Sequence, residues 1–436
     1  MTNRILATMG LAASLVLSTP AAAQLSAAEE TIVSTVEEHF ETDVALLERL
    51  VVQNSGTHNH EGVRAVADML VPEFEALGFS VEFIDQSHVG RAGHLFARHE
   101  GRPGSTRMLL IGHMDTVFEP DSPFQDFTRD GNVATGPGIE DDKGGIIVIL
   151  SALRAMQAAG TLEDANIVVA LTGDEEDVGD PIAEARADLL AAGEWADVTL
   201  GFEGLSIVDG RDMGVTARRS SNSWELRISA GSGHSSGIFH SASSVGAIYE
   251  LARILDAFRT QLPEENLTFN VGLVAGGTPA VLAEDGLSAT TSGKTNIIPD
   301  SAVARGDLRT ISQEQTERVV ARMQEIVADG LPGTEATLEV EFRYPPMSPT
   351  EGNAALLARL NAVNADLGLA VQEPIAPIRR GAADISFVAP LTDALAGMGA
   401  SGRGTHAPGE SLDLTSLTRQ SQRAAILMSR LAQEEY

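Results

Sequence analysis

Apolar residues recur every three or four positions among charged ones over residues 26–51 and 61–77, the period of amphipathic helices. Short β-rich runs follow at 80–84 and 94–98. Met108-Leu109-Leu110-Ile111-Gly112 is then apolar without interruption, the pattern of a strand buried on both faces. Residues 143–160 are apolar on most faces and read as a buried helix, and 166–172 and 197–202 read as further buried strands. Strands and helices alternating in this order predict an α/β domain around a mostly parallel sheet.

The texture changes near residue 218. Ser223-Trp224-Glu225-Leu226-Arg227-Ile228-Ser229 alternates polar and apolar, as a strand with one wet face does. A helix over 244–261, a strand over 266–272, a loose Gly/Thr/Ser/Ala stretch over 275–294, an alternating strand over 302–309, a helix over 312–328 and a strand over 336–342 follow. That is a βαββαβ, ferredoxin-like order inserted into the larger domain, whose α/β texture resumes after Pro345-Pro346. The expected division is therefore 24–217 with 345–436 for the main domain and 218–344 for the insert.

The first residues follow another logic. Met1-Thr2-Asn3-Arg4 carries one positive charge, residues 5–17 are mostly apolar, and Ala21-Ala22-Ala23 offers a small-residue cleavage site. This three-part pattern predicts a signal peptide, residues 1–23, cut after Ala23, with a periplasmic or secreted product. The apolar run is shorter than the ~20 residues a membrane span needs. In the whole chain of 436 residues, 61 acidic against 30 basic side chains leave a formal charge of −31. Such a charge repels nucleic acid and anionic membranes alike. With no cysteine, any metal must rest on His, Asp and Glu.

Those residue types gather where the predicted strands end. His113-Met114-Asp115 follows the 108–112 strand, and residues two apart can project to one side, so Asp115 can fix the ring of His113. Gly136-Pro137-Gly138-Ile139-Glu140-Asp141-Asp142-Lys143-Gly144-Gly145 sets three adjacent carboxylates in a glycine-rich turn, where their repulsion calls for a cation or for full solvation. Thr172-Gly173-Asp174-Glu175-Glu176-Asp177 and Glu203 follow two more strands, and Gly404-Thr405-His406-Ala407-Pro408 adds a late histidine. Ligands of open α/β sheets bind beyond the carboxyl ends of the strands. The convergence of these segments points to a metal site.

His113-x-Asp115, Gly136-x-Gly138-x-x-Asp141-x-Lys143-Gly144-Gly145, Asp174-Glu175-Glu176, Glu203 and His406 together resemble the two-zinc exopeptidases of metallopeptidase family 20. That family includes glutamate carboxypeptidase, acetylornithine deacetylase, succinyl-diaminopimelate desuccinylase and aminoacylase. The resemblance runs from about residue 30 to the C-terminus with the motifs in family order. It implies two Zn²⁺ per subunit, Co²⁺ being a possible substitute: His113, Asp141 and Glu203 on one, Asp141, Glu176 and His406 on the other, with Asp141 bridging. It further implies a cis peptide after Asp141, Asp115 orienting His113, and Glu175 as general base. The insert coincides with the family's lid or dimerisation domain, implying a homodimer.

Lid motifs extend the resemblance. Ser232-Gly233-His234-Ser235-Ser236 resembles the lid histidine motif, without the proline expected a few residues later, and implies that His234 acts across a subunit interface. Asn296-Ile297-Ile298-Pro299 and Gly381-Ala382-Ala383-Asp384 resemble substrate-binding elements, implying contacts from Asn296 and Asp384. At the place of the family's specificity arginine stands Tyr344, so Arg343, Arg379 or Arg380 would receive the substrate carboxylate. The expected activity is cleavage of an amide in a small peptide or N-acyl amino acid by a carboxypeptidase. The alternatives are a deacylase or dipeptidase with the same centre, a non-catalytic periplasmic binding protein, and a serine hydrolase on the G-x-S-x-G pattern at 233–237. The G-x-G-x-x-G pattern at 397–402 lacks an opening helix, and His58-Asn59-His60 reads as a surface turn before a helix.

Overall fold

In the computed structural model, which describes residues 25–239 and 244–435, alternate side chains of the strand Arg107–His113 enter two different cores. Met108 and Leu110 join the helices Ala27–Val52, Gly144–Ala158 and Leu414–Leu431 on one side of the sheet. Leu109 and Ile111 join Ala187–Trp195 and Ile385–Val388 on the other. Burial on both faces leaves no position for a polar side chain, which is why the run is continuous. Residues 1–23, with the expected signal peptide, lie outside the described residues. No helix among the described residues is long and apolar enough to cross a membrane.

The central sheet runs Ser80–Asp85, Gly93–His99, Asn166–Thr172, Arg107–His113, Val198–Gly201, Asp393–Leu395. The last four strands are mutually parallel, and the first two add as an antiparallel hairpin, so the sheet is mixed. The link over residues 86–92 is too short for the crossover a parallel neighbour requires. Register aligns the strand ends: His113 pairs with Thr172, and Ile111 with Gly201. Asn166–Thr172 and Arg107–His113 therefore end level, and Val198–Gly201 ends two residues short of them.

Between Arg218 and Met347, which exchange two backbone hydrogen bonds, the chain builds a second, wholly antiparallel sheet. Its strands are Ser221–Ala230, Thr268–Phe269, Leu273–Gly277, Ser301–Arg309 and Thr334–Tyr344. Trp224, Leu226 and Ile228 alternate onto one face and meet Ile254 and Phe258 of helix Ala247–Gln261 and Met323 of helix Gln313–Ala328. The order is the expected βαββαβ, with its second strand displaced. Only Thr268–Phe269 of the 266–272 run is a strand, and pairing continues through Leu273–Gly277 into the stretch read as loose. Small residues pair through their main chain without leaving an apolar alternation in the sequence.

Candidate active site

At the level carboxyl ends, one buried carboxylate organises two neighbours. Asp115 accepts the backbone N–H groups of Glu175 (3.0 Å) and Glu176 (3.1 Å) and the Thr57 hydroxyl (2.7 Å). The His113 ring turns Nδ1 toward the Asp115 backbone oxygen (3.1 Å) and carboxylate (3.4 Å), leaving Nε2 3.0 Å from Asp141 Oδ1. Asp115 thus sets the orientation of both the imidazole and the Glu175-Glu176 loop.

Asp141 arrives from the glycine-rich turn. Gly138 occupies the left-handed region at φ +67°, and a Cβ at Gly145 would collide with the Phe202 carbonyl oxygen. The Asp141–Asp142 peptide is cis. Three N–H groups of this turn, from Gly138, Glu140 and Asp141, donate to the buried Glu410 carboxylate at 2.8–3.2 Å. Sequence reading missed Glu410; its one trace was its place in the glycine-rich loop of His406. From that loop, with φ +61°, His406 points Nε2 at Asp141 Oδ2 (3.2 Å) and Glu176 Oε2 (3.0 Å).

The charges here do not balance through protein partners alone. Donor atoms of His113, Asp141 and Glu176 lie within 4.8 Å of one another, and the buried Glu176 Oε1 has no hydrogen-bond partner. Burial pushes the Glu176 carboxyl up to about 6, against the hydrogen bond from His406. Burial and the Glu203 charge push the Glu175 carboxyl well above its usual range. Burial would lower His113, yet its hydrogen bonds to Asp115 and Asp141 hold it well above the ordinary imidazole value. Hydrogen bonds to Asp141 and then Glu176 raise His406 to about 11. Imidazoles drawn so strongly to positive charge, beside an orphaned carboxylate oxygen, form a donor set that fits divalent cations.

A cavity of about 680 Å³ opens over this cluster, lined by Asp141, Glu175, Glu203, Arg218, Arg380 and His406 among others. Glu203 shares the cavity, but its Oε2 pairs with Arg218 Nη2 at 2.7 Å, leaving Oε1 for another partner. Arg218 also donates to the carbonyls of Gly381 (2.8 Å) and Ala382 (2.9 Å). Arg380 brings a buried Nε with no partner, and burial followed by Arg218 lowers its guanidinium to about 10. Arg379 lines the same cavity from an exposed position.

The structure places other expected residues elsewhere. Asp384 is not a cavity residue: it is buried, with its two oxygens taken by Arg186 Nε (2.8 Å) and the Thr172 hydroxyl (2.7 Å), so no acceptor is left for substrate. Arg343 lies outside the cavity and faces Asp177 (3.6 Å) and Glu341 (3.3 Å). His234 and Asn296 come together through the Gly233–His234 and Ile297–Ile298 ladder and the Ser235 N–H to Asn296 oxygen bond, but both are exposed and neither lines the cavity of its own chain. His58 is exposed and Asn59 caps the helix His60–Glu75. Ser235 opens an isolated 3-10 turn rather than a strand-to-helix elbow.

The profile of peptidase family M20/M25/M40 matches residues 109–430. Carboxypeptidase G2 of Pseudomonas sp. (strain RS-16) is 26% identical over 88% of this chain and 88% of its own length. A succinyl-diaminopimelate desuccinylase of Dechloromonas aromatica is 27% identical over 66% of this chain and 73% of its own. Among solved structures, a tripeptidase from Staphylococcus aureus superposes with a TM-score of 0.67 at 17% identity, covering 91% of this chain and 99% of that one. A dinuclear metal-binding peptidase from Bacillus subtilis gives 0.61 at 16% identity, covering 91% and 99%.

Proposed function

The chain belongs to the M20 peptidase family and is a metal-dependent hydrolase, and from that premise we propose that it is an exported di-zinc carboxypeptidase releasing a C-terminal amino acid from a small peptide or N-acyl amino acid. The observation that carries this reading is the meeting of His113, Asp141, Glu176 and His406, from four separate segments, under a cavity that Asp141, Glu175 and His406 line. His113, Asp141 and Glu203 Oε1 would hold one cation, and Asp141, Glu176 and His406 the other. Together these ions supply Lewis-acid polarisation of the scissile carbonyl and activation of water.

The remaining steps fall to side chains. Glu175, next to Glu176 in the chain, takes the proton from the attacking water and returns it to the leaving amine nitrogen. Burial and the Glu203 charge raise its affinity for protons, the direction an acceptor of the water's proton needs. Arg380, with its unpartnered buried nitrogen, receives the substrate carboxylate. The antiparallel unit serves as the lid and dimer surface: Phe239 and Leu287 are 68% and 81% exposed on it, and His234 is exposed without lining the cavity of its own chain, free to act on a second subunit. Residues 1–23 direct export.

Carboxypeptidase action is preferred to deacylation because the likeness to carboxypeptidase G2 covers 88% of this chain, against 65–86% for the desuccinylases. The purified protein, stripped by chelator and reloaded with Zn²⁺ or Co²⁺, is to be assayed side by side on N-acyl glutamates, dipeptides, acetylornithine and succinyl-diaminopimelate. Metal-restored release of a C-terminal amino acid is expected. Preference for the last two substrates would replace the carboxypeptidase reading with a deacylase, and tight retention of a ligand without turnover would replace catalysis with binding.

A further inference from the structure

The chain returns from the antiparallel unit through Tyr344, the last residue of the strand Thr334–Tyr344. Its hydroxyl donates to the backbone carbonyl oxygen of Glu175 at 2.6 Å and accepts from Arg186 Nη2 at 3.3 Å. Arg186 is wholly buried and anchored by Asp174 (2.6 Å) and Asp384 (2.8 Å). The Tyr344 ring rests against Phe387, with centroids 5.0 Å apart, and burial keeps the phenol protonated and able to donate. The hydroxyl therefore stands at a fixed height over the sheet. Glu175 is thereby gripped from two sides, its N–H by Asp115 and its carbonyl by Tyr344. Arg343, the neighbour of Tyr344, faces Asp177 of the same loop.

We propose that Tyr344 is a positioning residue for the general base, holding the Glu175 peptide so that its carboxyl meets the reacting water, and tying that placement to the strand that leaves the antiparallel unit. The proposal rests on the reading of Glu175 as base. Its physical ground is that proton transfer needs heavy atoms within hydrogen-bond reach, and a displacement of about 1 Å can cost on the order of 10²-fold in rate. A loop carrying a base among like charges from Glu203 and Glu176 has reason to drift if one of its two anchors is removed.

Tyr344→Phe keeps the ring and deletes the donor. Hydrogen–deuterium exchange over residues 173–178 is expected to quicken by about tenfold, the effect of losing one hydrogen bond. Bound zinc should match the parent protein, kcat on an N-acyl glutamate should fall about 10- to 100-fold, and KM should stay within about twofold. Phe387→Leu, which loosens the ring contact but keeps the hydroxyl, should leave kcat within about threefold. Unchanged exchange in Tyr344→Phe, or a loss of kcat matched by a loss of zinc, overturns the proposal. Failure of the zinc-loaded parent to cleave any amide would instead sink the functional reading, and exchange would still decide whether Tyr344 holds the loop.

Discussion

Two sets of carboxylates gather near the carboxyl ends of the central strands, a wholly buried lower layer and a partly buried upper one toward the cavity, and they differ in how their oxygens are used. In the lower layer Asp174 takes Arg186 and the Gly179 N–H, while Asp384 takes Arg186 and the Thr172 hydroxyl. Every oxygen there has a protein partner. In the upper layer Glu176 Oε1 has none, Glu203 spends one oxygen on Arg218, and Asp141 is held by two imidazoles. Identical chemistry thus makes a scaffold where every carboxylate oxygen finds a protein donor and a ligand site where one does not. The lower layer holds the sheet ends and the Glu175 loop still, so that the upper layer can stay under-compensated without collapsing onto itself.

The contrast can be broken at either layer. In the upper one, Glu175→Gln should lose about 10²- to 10⁴-fold in kcat while retaining its zinc, because only the proton carrier is removed. Steady-state kinetics with metal analysis checks this, and near-normal turnover would end the role of Glu175. In the lower one, Arg186→Met strands two buried aspartates and should cost about 3–5 kcal/mol in urea unfolding. Its control is Arg64→Ala at the exposed pair with Asp68 (2.8 Å), which should cost less than about 1 kcal/mol.

Smaller effects sharpen the same boundary. Arg380→Ala should raise KM about 10- to 100-fold for substrates ending in a carboxylate, and leave kcat near the parent value. In chelated protein the surplus of carboxylates should show as pH dependence. Glu176 is raised to about 6 and Glu410 to about 7, chiefly by burial, and both lie above the 4.5 of a solvated glutamate. The folded state then binds more protons than the unfolded one over this interval, so stability is present at low pH and is lost as pH rises through 6 to 7. The Tm of chelated protein should fall between pH 5.5 and 7.5, and Zn²⁺ should flatten that fall. A Tm that rises over this range would show that the upper layer is balanced without metal.

Much of this was legible along the chain, and the reason is locality. Period-two and period-3.6 patterns report burial over a few residues, so Met108–Gly112, Ser223–Ser229 and the long helices could be read directly. Acids and imidazoles after buried strands and within glycine-rich turns marked the site region, and the resemblance to the family singled out His113, Asp141, Glu175, Glu176, Glu203 and His406 among them. Pairing across the fold leaves no such trace. Glu410 reaches the N–H of Gly138 across 272 positions, Tyr344 reaches Glu175 across 169, and Arg186 reaches Asp384 across 198. Which carboxylates became scaffold and which remained open to a cation was decided only when tertiary packing brought a donor to some oxygens and not to others. A hydrogen bond depends on distance in space, and no periodicity in the sequence records it.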